Sequence, residues 1–229
     1  VDELEALQAA IENGISIPYY CYHPGLGVDG SCRVCIVKVE KMPKLQTSCS
    51  TLCADGMVVE TNSREVIEAR ASVFEFLLIN HPLDCPVCDK GGECPLQDFS
   101  YTFGPKGSRM EFPRRTFDGE GVKADVDFGP TLMLNRNRCI LCTRCVRACW
   151  YIEGAGTKNV AGRGAHSMII TDMNQPWADS DTCTACGKCV QSCPTGALFY
   201  KGVTVAEMER ERDKLEYIVT AREKKQWIV

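Results

Sequence analysis

The sequence lacks the features that mark several common classes of protein. The most hydrophobic stretch, residues 73–79 (VFEFLLI), is interrupted by Glu75 and is far shorter than the roughly 20 residues that a membrane-spanning helix needs. No basic-then-apolar leader opens the chain, so we expect a cytoplasmic protein. Basic charge is not in excess either, since 26 Lys and Arg face 30 Asp and Glu, and this balance is unlike that of a nucleic-acid-binding protein.

Cysteine, in contrast, is abundant, with 16 residues in a chain of 229. A secreted disulfide scaffold would be smaller and would space its cysteines more evenly. Most of these cysteines stand in tight C-x2-C groups, which suit a metal and strain a disulfide. In an intracellular chain such groups indicate metal ligands or redox motifs, and we favour metal.

The strongest signal is the spacing C-x2-C-x2-C-x3-C, which occurs twice and is the run typical of bacterial ferredoxins. The two copies are Cys139, Cys142, Cys145 and Cys149, and then Cys183, Cys186, Cys189 and Cys193. In two-cluster ferredoxins the fourth cysteine of each run ligates the other cluster. The spacing therefore predicts one 4Fe–4S cluster on Cys139, Cys142, Cys145 and Cys193, and a second on Cys149, Cys183, Cys186 and Cys189. The alternative is a pair of zinc sites, which would gain nothing from a third cysteine at the same spacing.

An earlier group has one C-x2-C pair with two flanking cysteines and suits a 2Fe–2S cluster, with two thiolates per iron. Its members are Cys21, Cys32, Cys35 and Cys49. Cys53 either replaces Cys49 or is a buried structural thiol, and we favour the second. The glycines of residues 25–30 match the dinucleotide fingerprint formally. No strand is expected before them and no helix after them, so we interpret them as a loop that wraps around the cluster.

A third group has only three thiols, and a 4Fe–4S cluster needs a fourth ligand. The thiols are Cys85, Cys88 and Cys94. His81, four residues before the first of them, is the favoured fourth ligand. The alternatives are Cys53, Asp84, Asp89 or a 3Fe–4S cluster that needs no fourth ligand. Ligation by a neutral imidazole would raise the potential of that cluster, as histidine does in Rieske centres.

Two helices are predicted in the first hundred residues. The first contains Leu4, Leu7 and Ile11 at helical spacing and ends at residues 13–14, an Asn-Gly pair. The second has Asn62 as its cap, with Glu65 three positions on, and ends near Asn80. Its buried face is expected to consist of Val66, Ala69, Val73, Phe76 and Leu77.

Strands are predicted at residues 36–40, 57–61 and 167–171, where apolar residues alternate or cluster. Residues 99–138 contain no cysteine and are expected to form short strands and loops between two domains. A polar helix at residues 205–225 is expected to close the chain, either as a solvated cap or as a docking surface.

Several stretches resemble one known family. They are IPYYCYHPGL, GSCRVC, HPLDCPVCDKGGECPLQD, NRCILCTRCVRAC and SCPTGAL. With the order of the cysteine groups, they resemble the small diaphorase subunit (the HoxU type) of soluble, bidirectional, NAD-reducing nickel–iron hydrogenases. They also resemble the N-terminal region of the large iron–sulfur subunit of respiratory complex I. The tail, including TAREKKQW, is more similar to the hydrogenase subunit.

The resemblance implies ligands for each group. In that family the first group carries a 2Fe–2S cluster, which implies Cys49 as its fourth ligand. The next carries a 4Fe–4S cluster on one histidine and three cysteines, here His81, Cys85, Cys88 and Cys94. Of the last two sets, the one that contains Cys139 matches a family-wide cluster, whereas the one that contains Cys149 occurs only in some members. Family members usually have a strand hairpin before the first helix, so we expect either an incomplete start or a smaller sheet.

The fold class expected is α+β. Residues 1–62 are expected to form a 2Fe–2S ferredoxin-like (β-grasp) domain, and residues 63–100 a helical 4Fe–4S domain with one histidine and three cysteine ligands. Residues 101–203 would form a linker and a bacterial-type two-cluster 4Fe–4S ferredoxin-like domain. Residues 204–229 would be the closing helix.

No catalytic constellation is found, so we expect an electron-transfer subunit of an oxidoreductase complex with no substrate site of its own. The resemblance implies one 2Fe–2S and three 4Fe–4S clusters here, with FMN, NAD and the nickel–iron centre on partners. These partners would be a flavin/NAD-binding diaphorase subunit and the small and large hydrogenase subunits. Alternatives are the equivalent module of an NAD-dependent formate dehydrogenase, an electron-bifurcating hydrogenase or a complex-I-like assembly. An alternative of another class is a zinc-stabilised interaction protein.

Overall fold

The computed structural model describes residues 4–111, 113–117 and 126–201, and the closing helix predicted at residues 204–229 lies outside them. The helices in the described residues are α1 (Ala6–Glu12), α2 (Arg64–Leu78), α3 (Pro95–Phe103), α4 (Arg144–Arg147) and α5 (Lys188–Ser192). The strands are β1 (Ile36–Val39), β2 (Gln46–Thr47), β3 (Val59–Glu60), β4 (Val126–Phe128), β5 (Leu132–Asn135), β6 (Lys158–Ala161), β7 (Met168–Thr171) and β8 (Leu198–Tyr200).

A small antiparallel sheet with the order β2-β1-β3 forms the first part of the fold. Ile36 pairs with Thr47 on one side of β1, and Val39 pairs with Val59 on the other. Helix α1 covers this sheet and contributes Leu7, which is fully buried. The helix ends at Asn13, as predicted, and the strands fall within the two ranges predicted for them.

Helix α2 connects this sheet to the rest of the chain, and two predictions about it were wrong. Its N-cap is Ser63, without a side-chain capping bond, so the capping box expected at Asn62 does not form. Its buried stripe runs through Val66, Arg70 and Phe74 at four-residue intervals, whereas Phe76 is exposed. Phe76 lies ten residues after the start of that stripe, which at 3.6 residues per turn places it about 80° away.

Arg70 explains why α2 packs where it does. Its guanidinium donates to the carbonyl oxygens of Ile36 (2.8 Å) and Thr61 (3.2 Å), and it lies over the Phe103 ring at 5.1 Å from the centroid. A buried cation is therefore satisfied by backbone acceptors and an aromatic face rather than by a carboxylate. Phe103 ends α3, and this helix occupies the first residues of the range for which only strands and loops were predicted.

The last part of the described chain contains a sheet with the order β4-β5-β8 and a separate hairpin of β6 and β7. Strand β7 confirms the prediction for residues 167–171. The buried residues Leu134, Ile169, Trp177 and Leu198 from these elements form one apolar cluster. Helices α4 and α5 pack against each other beside this cluster, each directly after a C-x2-C loop.

Two arginines of α4 join this part to the first loop. Arg144 donates to the carbonyl oxygen of Tyr22 at 2.6 Å. Arg147 donates to those of Leu26 (3.1 Å) and Gly27 (3.2 Å), and also to that of Cys21. Within the described residues, no helix combines the length and hydrophobicity that crossing a membrane would require.

Candidate metal centres

All 16 cysteines lie in the described residues, and all are free thiols. This agrees with the prediction that the cysteines do not form a disulfide framework. The predicted ligands can therefore be examined group by group.

The four thiols predicted to bind a 2Fe–2S cluster lie together in the loop beside β1. Cys21, Cys35 and Cys49 are buried, and Cys32 is partly buried. The Cys21 thiol forms hydrogen bonds with those of Cys32 and Cys49, and the Cys49 thiol also bonds that of Cys35. The hydrogen bond from Cys49 lowers the pKa of Cys35 to about 7. Such contacts between thiols suit ligands that share one small cluster.

Cys53 lies outside this set of thiols. It is exposed, which contradicts the prediction of a buried thiol, and its backbone N–H donates to the Leu4 carbonyl oxygen at 2.9 Å. The side chain lines a shallow groove beside α1. Cys49, by comparison, is fully buried against Cys21 and Cys35, so the structure favours it over Cys53 as the fourth thiol.

The loops of the two repeated runs share an unusual backbone. Leu141 and Thr143 have φ of +55° and +59°, and the equivalent Ala185 and Gly187 have φ of +53° and +76°. Left-handed conformations cost non-glycine residues roughly 1–3 kcal/mol, so they persist where the surroundings require them. In the first run the backbone N–H of Leu141 points at Cys139 Sγ at 3.4 Å. These loops turn their cysteines inward and start α4 and α5.

One cavity, called here the inner cavity, is lined by Cys139, Cys142, Cys145 and Cys193. Its other lining residues are Leu134, Ile140, Thr143, Ile169, Thr195, Ala197 and Leu198. Burial, followed by the nearby Cys193 thiol, raises the pKa of Cys142 to about 12. Thiolates in so apolar a space need a strongly positive partner, and iron in a cluster would supply it.

A second cavity, called here the outer cavity, is lined by Cys149, Cys183, Cys186 and Cys189. Charged and polar side chains also line it, among them Glu153, Lys158, Thr184 and Lys188. Cys186 is exposed, whereas Cys189 is buried and its pKa is raised to about 12 by that burial. In each cavity the structure brings together three cysteines of one run and the fourth cysteine of the other, which is the grouping predicted from the spacing.

The three thiols of the remaining group surround the short turn at Cys85–Val87 and the start of α3. Burial, and then the neighbouring thiols of Cys88 and Cys85, raise the pKa of Cys94. This group lies against the Cys193–Ala197 segment. Cys94 Sγ is 3.8 Å from the Pro194 carbonyl oxygen, and a Cβ at Gly196 would come within 2.1 Å of Cys88 Sγ.

His81 has the state that a metal ligand requires. Burial lowers its pKa to about 4, so its imidazole is neutral at pH 7. Its Nδ1 is buried and has no hydrogen-bond partner among the described residues. Asp84, one of the alternative ligands, accepts a hydrogen bond from Arg138 Nε at 3.0 Å instead. The donor chemistry of His81 and the three thiols thus fits a mixed-ligand cluster.

The inner cavity lies at the junction of all four groups. One apolar cluster contains Cys21, Cys94 and Cys142, which belong to three different groups. Another contains Cys145 and Cys189, which belong to the two repeated runs. The groups are therefore not arranged in sequence order, because the inner set packs against each of the other three.

Sequence reasoning missed two residues that line the outer cavity, Lys158 and Trp177. Trp177 Nε1 donates to Cys183 Sγ at 3.2 Å, and Lys158 Nζ lies 3.1 Å from the centroid of the Trp177 ring. A lysine in a strand and a tryptophan after a proline carry no signal of metal binding by themselves. In the described residues, no group of three or more His, Cys, Asp or Glu has the geometry to hold a metal ion. The zinc alternative, which needs four ligands around one ion, thus finds no support there.

Four family models match the chain. They describe a 2Fe-2S iron-sulfur cluster binding domain (residues 5–64) and an NADH-ubiquinone oxidoreductase-G iron-sulfur binding region (residues 70–109). The others describe the ferredoxin-like domain of NADH-quinone oxidoreductase subunit 3 (residues 129–199) and a 4Fe-4S dicluster domain (residues 175–227). The chain therefore contains both 2Fe–2S and 4Fe–4S binding domains.

Similar proteins belong to oxidoreductase complexes. A subunit of NADH-quinone oxidoreductase from Rhizobium meliloti is 44% identical over 84% of this chain and 22% of its own length. The 78 kDa subunit of NADH-ubiquinone oxidoreductase of Neurospora crassa is 43% identical over 93% of this chain and 27% of its own. The chain spans about a quarter of the length of these relatives. A chain of an NAD+-reducing [NiFe]-hydrogenase in the H2-reduced state superposes with a TM-score of 0.76 at 32% identity. That match covers 89% of this chain and 83% of the hydrogenase chain.

Proposed function

We propose that this chain, which belongs to the NADH-ubiquinone oxidoreductase-G family of iron–sulfur proteins, relays electrons between a flavin/NAD-binding subunit and a nickel–iron hydrogenase module. It would hold one 2Fe–2S and three 4Fe–4S clusters on the four ligand sets described above. The observation that carries this proposal is the packing of all four sets into two shared apolar clusters. Neighbouring clusters in such an arrangement exchange electrons without a diffusing carrier.

The residues of this chain supply spacing and surroundings. The apolar side chains of the inner cavity exclude water, and Arg144 and Arg147 hold the first loop against α4. When bound, iron–sulfur clusters supply one-electron redox chemistry, whose potential depends on ligand type, net charge, hydrogen bonds to sulfur and exposure. Since the inner set packs against the other three, we propose that electrons pass through the inner cluster whichever way they flow.

The hydrogenase assignment of the relay rests on the similarity to the solved NAD+-reducing [NiFe]-hydrogenase chain. The identity with the NADH-quinone and NADH-ubiquinone oxidoreductase relatives supports an equivalent module of a complex-I-like assembly as the second candidate. A formate dehydrogenase or an electron-bifurcating hydrogenase remains an alternative. Partner proteins that co-purify from the native source distinguish these, because hydrogenase small and large subunits are expected with the first candidate. A location in the cytoplasm stays a prediction.

Iron content tests the number of clusters. The chain is purified anaerobically, and iron and acid-labile sulfide are measured alongside EPR of the reduced sample. We expect about 14 iron and as many sulfide per chain, with one 2Fe–2S signal beside several 4Fe–4S signals. About 10 iron would mean that one 4Fe–4S site is misassigned. A colourless protein that contains zinc would contradict the proposal as a whole.

The ligands of the mixed set are tested with two variants. His81→Ala removes the favoured fourth ligand, and Asp84→Ala is the matched control, because Asp84 is a rival ligand that the structure pairs with Arg138. We expect only the histidine variant to lose or alter one 4Fe–4S EPR signal. The reverse result would assign the fourth ligand to Asp84.

A further inference from the structure

Lys158 is a buried cation of the outer cavity that the cysteine ligands leave unexplained. Its side chain is 2% exposed, and its Nζ donates to Thr171 Oγ1 at 2.8 Å. The same atom makes a cation–π contact with the fully buried Trp177 ring. Within residues 4–111, 113–117 and 126–201, no carboxylate forms an ion pair with it.

A buried ammonium requires negative charge nearby, because removal from water penalises its charged form. Burial accordingly lowers the pKa of Lys158 to about 8, and negative groups nearby act in the opposite direction. In decreasing order these are Cys189, Cys145, Asp127 and Cys183. Asp127 is already in a buried ion pair with Arg136 at 2.8 Å. The compensating charge for Lys158 must therefore come mainly from thiolates of the two repeated runs.

Trp177 fixes the position of the ammonium relative to the outer set. Its backbone N–H donates to Asp127 Oδ1 at 2.9 Å, and its indole N–H donates to Cys183 Sγ at 3.2 Å. Gly129 lies against the ring, where a Cβ would come within 2.9 Å of it. The ammonium, the indole and the thiol thus form one ordered stack at the wall of the cavity.

We propose that Lys158 is the fixed counter-cation of a 4Fe–4S cluster in the outer cavity and raises the reduction potential of that cluster. This inference rests on the proposed function, since it needs a cluster on Cys149, Cys183, Cys186 and Cys189. A cluster gains one negative charge when it accepts an electron, so a neighbouring positive charge stabilises the reduced form. Lys158 acts as a positioning residue, because it sets the field at the cluster without ligating iron.

The direct test is an EPR-monitored redox titration of the full chain with its clusters. Lys158→Met removes the charge and keeps the length of the side chain. Lys188→Met is the matched control, since Lys188 lines the same cavity but is 39% exposed and paired with Glu153. A Cys186→Ala variant identifies the signal of the outer cluster by its loss.

We expect Lys158→Met to reduce the equilibrium constant for reduction of the outer cluster at least tenfold. For a one-electron couple that is a fall of 59 mV in potential. Lys188→Met should change it less than threefold, because solvent and Glu153 already screen that charge. A shift in Lys158→Met no larger than that in Lys188→Met would overturn the inference.

Lys158→Arg decides the outcome if Lys158→Met fails to retain the outer cluster. An arginine keeps the positive charge, so we expect it to retain the cluster at a potential closer to that of the wild type than of any uncharged variant. Loss of the cluster from both variants would show that the shape of the lysine matters rather than its charge, and would overturn the inference. If the wild-type chain itself holds only about 10 iron and lacks the outer signal, the cluster assignment under the proposed function has failed instead.

Discussion

Cys139 and Cys183 each begin the same C-x2-C-x2-C-x3-C run, and each run has left-handed residues at the second and fourth positions after that cysteine. The cavities that the runs enclose are nevertheless different. The inner cavity is lined by aliphatic side chains and two threonines, whereas the outer cavity is lined by Lys158, Glu153 and Lys188 and includes the exposed Cys186. Equal ligand sets are thus placed in unequal surroundings.

The difference indicates how one repeat can provide two clusters with separate tasks. Solvent exclusion and the lack of charged side chains in its described lining disfavour the added negative charge of a reduced inner cluster, while Lys158 and the Trp177 N–H favour it in the outer one. We therefore expect the outer cluster to have the higher potential. The inner position, in contact with all the other groups, suits passage of electrons, and the outer one suits their temporary storage.

The largest effect is expected from removing one ligand in each cavity. Cys145→Ala should remove the inner cluster and lower the melting temperature of the chain, because this thiol belongs to a buried apolar cluster built by four strands and α5. Cys186→Ala should remove only the outer cluster, because its side chain is exposed. Iron content, EPR and thermal unfolding followed by circular dichroism measure both. Equal destabilisation by the two variants would break the comparison.

Sequence reasoning found the cysteine sets because ligand spacing is encoded within short loops. The two cavities group their cysteines as the ferredoxin spacing predicts, and α1, β1, β3 and β7 fall where periodicity placed them. Short stretches of chain carry this information. The stretch around Asn62 was misread because Asn62 and Ser63 are both good caps, and only packing selects the second.

The surroundings of the outer cavity could not be predicted in the same way. Lys158 comes from β6, Trp177 from a short turn after β7, and Gly129 from the segment before β5. Their contacts depend on how two separate sheets pack, and no local pattern reports that packing. Arg70 gives a second example, since its partners Ile36 and Phe103 lie more than 30 residues away on either side.

A substitution at Gly129 sharpens the comparison at the level of stability. Gly129→Ala places a methyl group 2.9 Å from the Trp177 ring and 3.1 Å from the Leu132 carbonyl oxygen. Overpacking of this kind costs about 1–3 kcal/mol, and the indole must move away from Cys183. Thermal unfolding and EPR of the outer cluster should both change, while the inner signal stays constant.

Gly107→Ala is the matched control for that substitution, because a Cβ at Gly107 meets no described atom within 4 Å. We expect the melting temperature of this variant to stay close to that of the wild type. If Gly129→Ala behaved like Gly107→Ala, the close packing of Trp177 would not be what fixes the wall of the outer cavity.

The smallest effect is expected from the single hydrogen bond to Cys183. Trp177→Phe keeps an aromatic face for Lys158 but removes the indole N–H that points at Cys183 Sγ. One hydrogen bond contributes about 1 kcal/mol, so the equilibrium constant for reduction of the outer cluster should fall about fivefold. Trp150→Phe is the control, since its N–H donates to the Lys158 carbonyl oxygen and to Asn159 rather than to a thiol. EPR-monitored titration of both variants should shift the outer potential only in the first, because only that bond strengthens when the sulfur becomes more negative.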